Sequence, residues 1–135
     1  MRNMRVLSNL VRKEWSVFAD FFYKGVFTMF VYISGAITNN ENYEKQFMQA
    51  EKDLRRLGYN VVNPVSIGKR LEKELGRTPI HAEYLQKDLM ALRNCDAIYQ
   101  LPGWEKSKGA KIEYKYAVGL GKTFIKYKML SPKWD

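Results

Sequence analysis

From Phe30 onward the chain alternates between two hydrophobic periods, and this alternation limits its fold more than any other feature. Four short apolar runs, "FVYIS", "YNVVNP", "DAIYQLP" and "TFIKY", are too short for helices and read as strands. Helix-period segments lie between them. Asn40 to Leu57 places Tyr43, Phe47, Ala50, Leu54 and Leu57 on one face, and Gly58 stops it. "SIGKRLEKEL" reads as a short helix or loop closed by Gly76. Pro79 opens a helix that carries Tyr84, Leu85, Leu89 and Leu92 and runs to Asn94. Lys108 to Leu120 forms another, ended by Gly121. Strands separated by helices pair in parallel, because a crossover is what parallel neighbours require. The expected class is α/β with a mainly parallel sheet of four to five strands. Ligands in such sheets bind at the carboxyl ends of the strands. The loops after Ser34, Asn63 and Leu101 are therefore expected to line a site.

A length of 135 residues suits one domain with a real core, and 46% hydrophobic residues exclude a disordered polymer. The single cysteine, Cys95, excludes an internal disulfide framework and suits a reducing, cytoplasmic setting. No apolar run reaches membrane-spanning length. The net charge of +9, from 23 basic and 14 acidic residues, welcomes anionic partners, although a solvated lysine-rich surface accounts for it as well. Zinc-finger spacing and RNA-binding aromatic motifs are missing, which argues against nucleic acid.

Residues 1–28 differ from the rest. Leu7, Val11, Trp15, Phe18 and Phe22 share helical spacing, while Arg12, Lys13, Glu14 and Asp20 interrupt any signal peptide. We expect an N-terminal helical extension that docks on a partner or second subunit. The alternative is an upstream extension, with the working start at Met29. Residues 29–135 form the expected domain.

The helix from Lys108 carries the main chemical signal. At 100° per residue, Lys108, Lys111, Lys115 and Lys122 fall within about a 60° sector. Glu113 points to nearly the opposite side, with Ala110, Tyr116, Ala117 and Leu120, the face expected to pack on the sheet. A carboxylate there is costly unless something uses it. It is either a partly buried, hydrogen-bonded structural glutamate or a catalytic carboxylate in a cleft. Gly109 and Ala110 let another group approach the helix start, whose free N–H groups suit a phosphate, with Ser107 adding a hydroxyl.

Acid–base work needs a second carboxylate. Asp88, in "YLQKDLMAL", is the candidate, against the alternative of a solvated aspartate paired with a lysine. Asp96 reads as a turn residue, and Glu105, beside Trp104, as a loop carboxylate. His81 lacks metal-ligand spacing to any partner and reads as structural; neither a metal nor a cofactor is expected. The first loop offers Tyr32, Ser34, Gly35 and Thr38 for sugar or phosphate. The chain carries no dinucleotide or Walker fingerprint, and "GLGK" is a helix stop.

"VYISGAIT", "YLQKDLMALRNCDAIYQLPGW" and "SKGAKIEYKYAVGLGK" together resemble the nucleoside 2-deoxyribosyltransferase-like superfamily, in particular a small uncharacterised branch common in phages and prophages and related to nucleoside-monophosphate N-glycosidases. The resemblance covers about Phe30 to Tyr127. It implies a Rossmann-like three-layer sandwich, cleavage or transfer of a nucleoside or nucleotide N-glycosidic bond, and assembly into homodimers or larger homo-oligomers. It makes Glu113 the nucleophile and gives Asp88 a role with the base or as general acid. It matches Tyr32 to the family's first-strand tyrosine and Ser107 to its phosphate-binding serine. Two positions depart from the pattern. Transferases carry an aspartate in the loop where this chain reads "PGWEKS", which puts Trp104 and Glu105 near the substrate. The monophosphate hydrolases carry an arginine where this chain has Thr38. The competing expectation is a non-catalytic module that binds or sequesters a nucleotide signal in phage–host conflict.

Overall fold

The computed structural model describes residues 29–126, so the extension expected over residues 1–28, and the part of the expected domain beyond Lys126, lie outside the described residues. In chain order the elements are β1 (Phe30–Ser34), α1 (Tyr43–Arg56), β2 (Asn60–Val62), α2 (Pro64–Leu75), α3 (His81–Arg93), β3 (Ala97–Gln100), a short 3-10 turn (Trp104–Lys106), α4 (Lys108–Gly119) and β4 (Thr123–Ile125). All neighbouring strand pairs are parallel, in the order β2-β1-β3-β4.

Strand alternation builds the layers. Val31 and Ile33 point to one side of β1 and join Phe47, Ala50 and Leu54 of α1. Tyr32 points to the other side and joins Leu92 of α3, Ile98 of β3 and Ala117 of α4. Helices thus cover both faces of the sheet, giving the three-layer α/β sandwich of the Rossmann-like class. A strand covered on both faces has to be apolar throughout, which explains why β1 reads "FVYIS" and not as an alternating pattern.

"SIGKRLEKEL" is the interior of a true helix, which starts earlier than its apolar pattern suggests. The Asn63 side chain accepts from the Val65 N–H at 2.9 Å, Pro64 fills the first turn, and Gly76 closes the helix at φ 68°. Lys122 departs from the solvated lysine face. Its ammonium donates to the carbonyls of Arg93 (2.8 Å) and Cys95 (2.5 Å), capping the end of α3 beside the start of β3. Asp96 does more than turn the chain: its side chain accepts from the Phe30 N–H at 2.8 Å and ties the starts of β1 and β3.

Chain order reverses direction between β1 and β3, since β2 lies on one side of β1 and β3 on the other. That switch point is where loops diverge and leave a crevice above the strand ends. Gly35 is needed there, because a Cβ at this position would stand 2.9 Å from Leu101 Cδ1 and 3.0 Å from its Cβ.

Candidate active site

Glu113 is buried, 6% exposed, on the sheet-facing side of α4. Both of its oxygens are held. The Tyr32 hydroxyl donates to Oε2 at 2.6 Å and the Ser34 hydroxyl donates to Oε1 at 2.6 Å. The donors come from one face of β1, two residues apart, and α4 crosses above them. Burial pushes the Glu113 carboxyl above its ordinary range, while the bonds from Ser34 and Tyr32 pull against that rise. Burial and the neighbouring Glu113 hold the Tyr32 hydroxyl well above its usual value, so it remains a donor.

A cavity of about 610 Å³ opens at this point. Glu113 and Asp88 line it, together with the loop after β1, the start of α2, one face of α3 and the start of α4. Asp88 Oδ1 is covered and has no hydrogen-bond partner among the described residues. Burial first, and then the charge of Glu113, push the Asp88 carboxyl up to about 8. The pair therefore holds two carboxyls in unlike settings. One is braced by two hydroxyl donors; the other lacks a partner and keeps its proton at neutral pH.

At the start of α4, Ser107 accepts the Ala110 N–H at 3.1 Å as the helix cap. Helix geometry leaves the Lys108 and Gly109 amides without intrahelical acceptors. Lys106, Lys108 and Gly109 line the cavity here. A Cβ at Gly109 would stand in ordinary contact with both His81 Cε1, at 3.8 Å, and Ser107 Oγ, at 4.0 Å, so both side chains flank the helix start.

The expected residues divide into three groups. Glu113, Asp88, Gly35, Thr38, Ser107, Gly109 and Ala110 all line the one cavity. Tyr32 and Ser34, expected to touch substrate, instead give their hydroxyls to Glu113 and position it. Trp104 and Glu105 are not brought to the cavity; they line a second cleft with Tyr114 and Phe124. The reason is a stack: the Trp104 ring lies 5.0 Å from that of Tyr114, a residue about 100° around α4 from Glu113.

Several cavity residues escaped the sequence. His81, read as structural, is exposed and lines the cavity, as do Tyr43, Lys69, Glu72 and Tyr84. The available signal was the spacing His81, Tyr84, Leu85, Asp88, which is i, i+3, i+4, i+7 on one helix face. Tyr84 and Leu85 also fit the apolar pattern of that helix, which masks the signal.

Two comparisons with known proteins give matches. A family model described as Domain of unknown function (DUF4406) matches residues 29–126. Among solved structures, a CMP N-glycosidase of Clostridium botulinum, BcmB, is similar at 21% sequence identity, over 74% of this chain and 76% of that chain, with a TM-score of 0.49. Among curated proteins, none matches the chain. No helix among the described residues is long and apolar enough to cross a membrane.

Proposed function

We propose that this chain, which belongs to the DUF4406 family, breaks or transfers the N-glycosidic bond of a nucleoside or nucleoside 5′-monophosphate through Glu113. The observation that carries this is the carboxyl pair in one cavity: buried Glu113 braced at 2.6 Å by Tyr32 and by Ser34, and Asp88 with its carboxyl pushed up to about 8. The motif resemblance, which singles out the same two residues, adds support.

In the first step a Glu113 oxygen attacks the anomeric carbon, forming a C–O bond as the bond to the base nitrogen breaks. The electron pair goes to the base, and Asp88 supplies the proton that neutralises it. The result is a glycosyl-enzyme, as in retaining glycosidases. In the second step water, or a second base, attacks the same carbon and frees Glu113, with the ionised Asp88 taking the proton. Tyr32 and Ser34 fix the carboxylate in both steps. The amides of Lys108 and Gly109, with Ser107, Lys106 and Lys108, suit a 5′-phosphate. Gly109 lies one helical turn, about 6 Å, before Glu113, a separation compatible with a ribose between its anomeric carbon and its 5′ substituent. Ile37, Tyr43, Val65 and Tyr84, which also line the cavity, suit a base. Homo-oligomerisation belongs to the same proposal, and sedimentation of the full chain tests it.

The test is incubation with a panel of nucleosides and 5′-monophosphates, with free base measured by chromatography. Base release that is lost in Glu113→Gln, with ligand binding kept, is the expected result. Ligands that raise the melting temperature but never lose their base would make the chain a nucleotide-binding module instead.

A further inference from the structure

We infer that Glu72 is a specificity-determining residue that selects adenine and cytosine, whose exocyclic amine stands where the other bases carry a carbonyl, over uracil and thymine. The inference rests on the N-glycosidic function proposed above, and it names the substrate class within it. Glu72 lies on α2 and lines the cavity. Its Oε2 accepts a 2.7 Å hydrogen bond from the Tyr84 hydroxyl. Its Oε1 has no hydrogen bond and no ion pair among the described residues. The lysine one turn earlier, Lys69, is engaged elsewhere, 3.2 Å from Glu44. Glu72 is thus an exposed carboxylate, without an ion pair among the described residues, on the wall of a cavity that Lys69, Lys106 and Lys108 also line.

Its location ties it to the base. Tyr84 stands one turn before Asp88 on the same face of α3, about 6 Å along the helix. A base whose departing nitrogen takes a proton from Asp88 therefore extends along that face toward Tyr84. Tyr84 is itself fixed. Its hydroxyl is held by Glu72, and its ring lies so near α2 that a Cβ on Gly68 would come within 3.2 Å of Cε1. The far edge of the base then meets an oxygen that only accepts. Adenine and cytosine present an exocyclic amine there, at the position where guanine, uracil and thymine carry a carbonyl oxygen. Uracil and thymine present a carbonyl oxygen at that position, which meets the carboxylate with like partial charge, and only their ring N3–H, displaced along the edge, can donate to it. An acceptor placed for the amine therefore favours the amino base over the base that must shift to donate its N3–H.

The experiment compares kcat/KM for base release from cytidine and uridine 5′-monophosphates, and from deoxyadenosine and thymidine 5′-monophosphates, with the wild type, Glu72→Gln and Tyr84→Phe. The wild type should favour the amino member of the first pair by about tenfold to a hundredfold. Glu72→Gln, whose amide both donates and accepts, should bring that pair to within about twofold, mostly through KM for the uridine substrate. Tyr84→Phe should weaken the preference less. Equilibrium binding of the same pairs to Glu113→Gln, with and without Glu72→Gln, is measured by calorimetry alongside. Equal rates within the first pair, or a preference that survives Glu72→Gln, overturn the inference and leave the glycosidic function standing. No base release from any substrate, with tighter Glu72-dependent binding of the amino member, overturns the glycosidic function and upholds base selection. Neither release nor binding overturns both.

Discussion

Replacing Tyr32 with phenylalanine removes one oxygen from the middle of β1 and leaves the ring that packs among Leu92, Ile98 and Ala117. The oxygen removed is one of two donors to a buried carboxylate, at 2.6 Å. A hydrogen bond to a charged group contributes about 1.5–3 kcal/mol, which corresponds to about one to two pKa units. Burial already outweighs the two donors and sets the Glu113 carboxyl above its ordinary range. With one donor gone, that carboxyl rises by about one to two units more. Attack on the anomeric carbon needs the ionised form. The acid limb of the pH profile of kcat/KM for base release should therefore move upward by the same amount. At pH values below the wild-type limb the rate should fall by about tenfold to a hundredfold. Ser34→Ala should shift the limb in the same direction, because it removes the donor to the other oxygen. Stability follows the same sign. A carboxyl raised by folding stabilises fully below its unfolded value near 4.5, and that contribution is lost as pH rises through the folded value. Tyr32→Phe raises the folded value further, so its melting temperature should fall behind the wild type mainly on the alkaline side. An acid limb that stays in place in both variants would refute the idea that these hydroxyls set the ionisation of Glu113.

Other substitutions probe other parts of the account. Asp88→Asn should remove the alkaline limb near pH 8 and slow base release by about 10²–10⁴-fold, read from the same pH profiles. In the wild type, the raised Asp88 carboxyl should make stability fall as pH rises from about 4 to about 8, with a slope of up to about 1.4 kcal/mol per pH unit; Asp88→Asn should flatten that slope in denaturant titrations. Gly35→Ala pushes a Cβ to 2.9 Å from Leu101 Cδ1 and should destabilise by about 1–3 kcal/mol, a loss that a second change, Leu101→Ala, partly relieves in a double-mutant cycle. Lys122→Ala removes the ammonium from the Arg93 and Cys95 carbonyls and should cost about 1–2 kcal/mol in urea unfolding, with base release unchanged at temperatures where the variant stays folded.

The layer order was legible because each element carried its own signal. Phe47, Ala50 and Leu54 repeat at helical spacing, "FVYIS" is apolar on both faces, and Gly58, Gly76 and Gly121 mark chain reversals at positive φ. Glu113 was legible for a physical reason: a carboxylate on an otherwise small and apolar helix face requires compensation. Its two compensating donors sit 81 and 79 residues away in sequence, and only the register of α4 over β1 shows that their hydroxyls reach the carboxylate. Trp104 and Glu105 show the opposite limit. Loop proximity in sequence placed them near the substrate, but a ring stack on Tyr114 turns the tryptophan to the other side of α4. The shared face of His81, Tyr84 and Asp88 is legible in the spacing of α3, but its meeting with Glu72 of α2 across the cavity is not, because a wall formed between two helices has no local signature.

The claim on which the account depends is that Glu113 forms a bond to the sugar. The most direct measurement is mass spectrometry of the protein quenched during turnover of a nucleoside or 5′-monophosphate that the panel shows to lose its base, followed by mapping of the modified peptide. A glycosyl adduct on the peptide that contains Glu113, missing in Glu113→Gln, is the predicted result. Base release by Glu113→Gln at the wild-type rate, or an adduct on another residue, would contradict it.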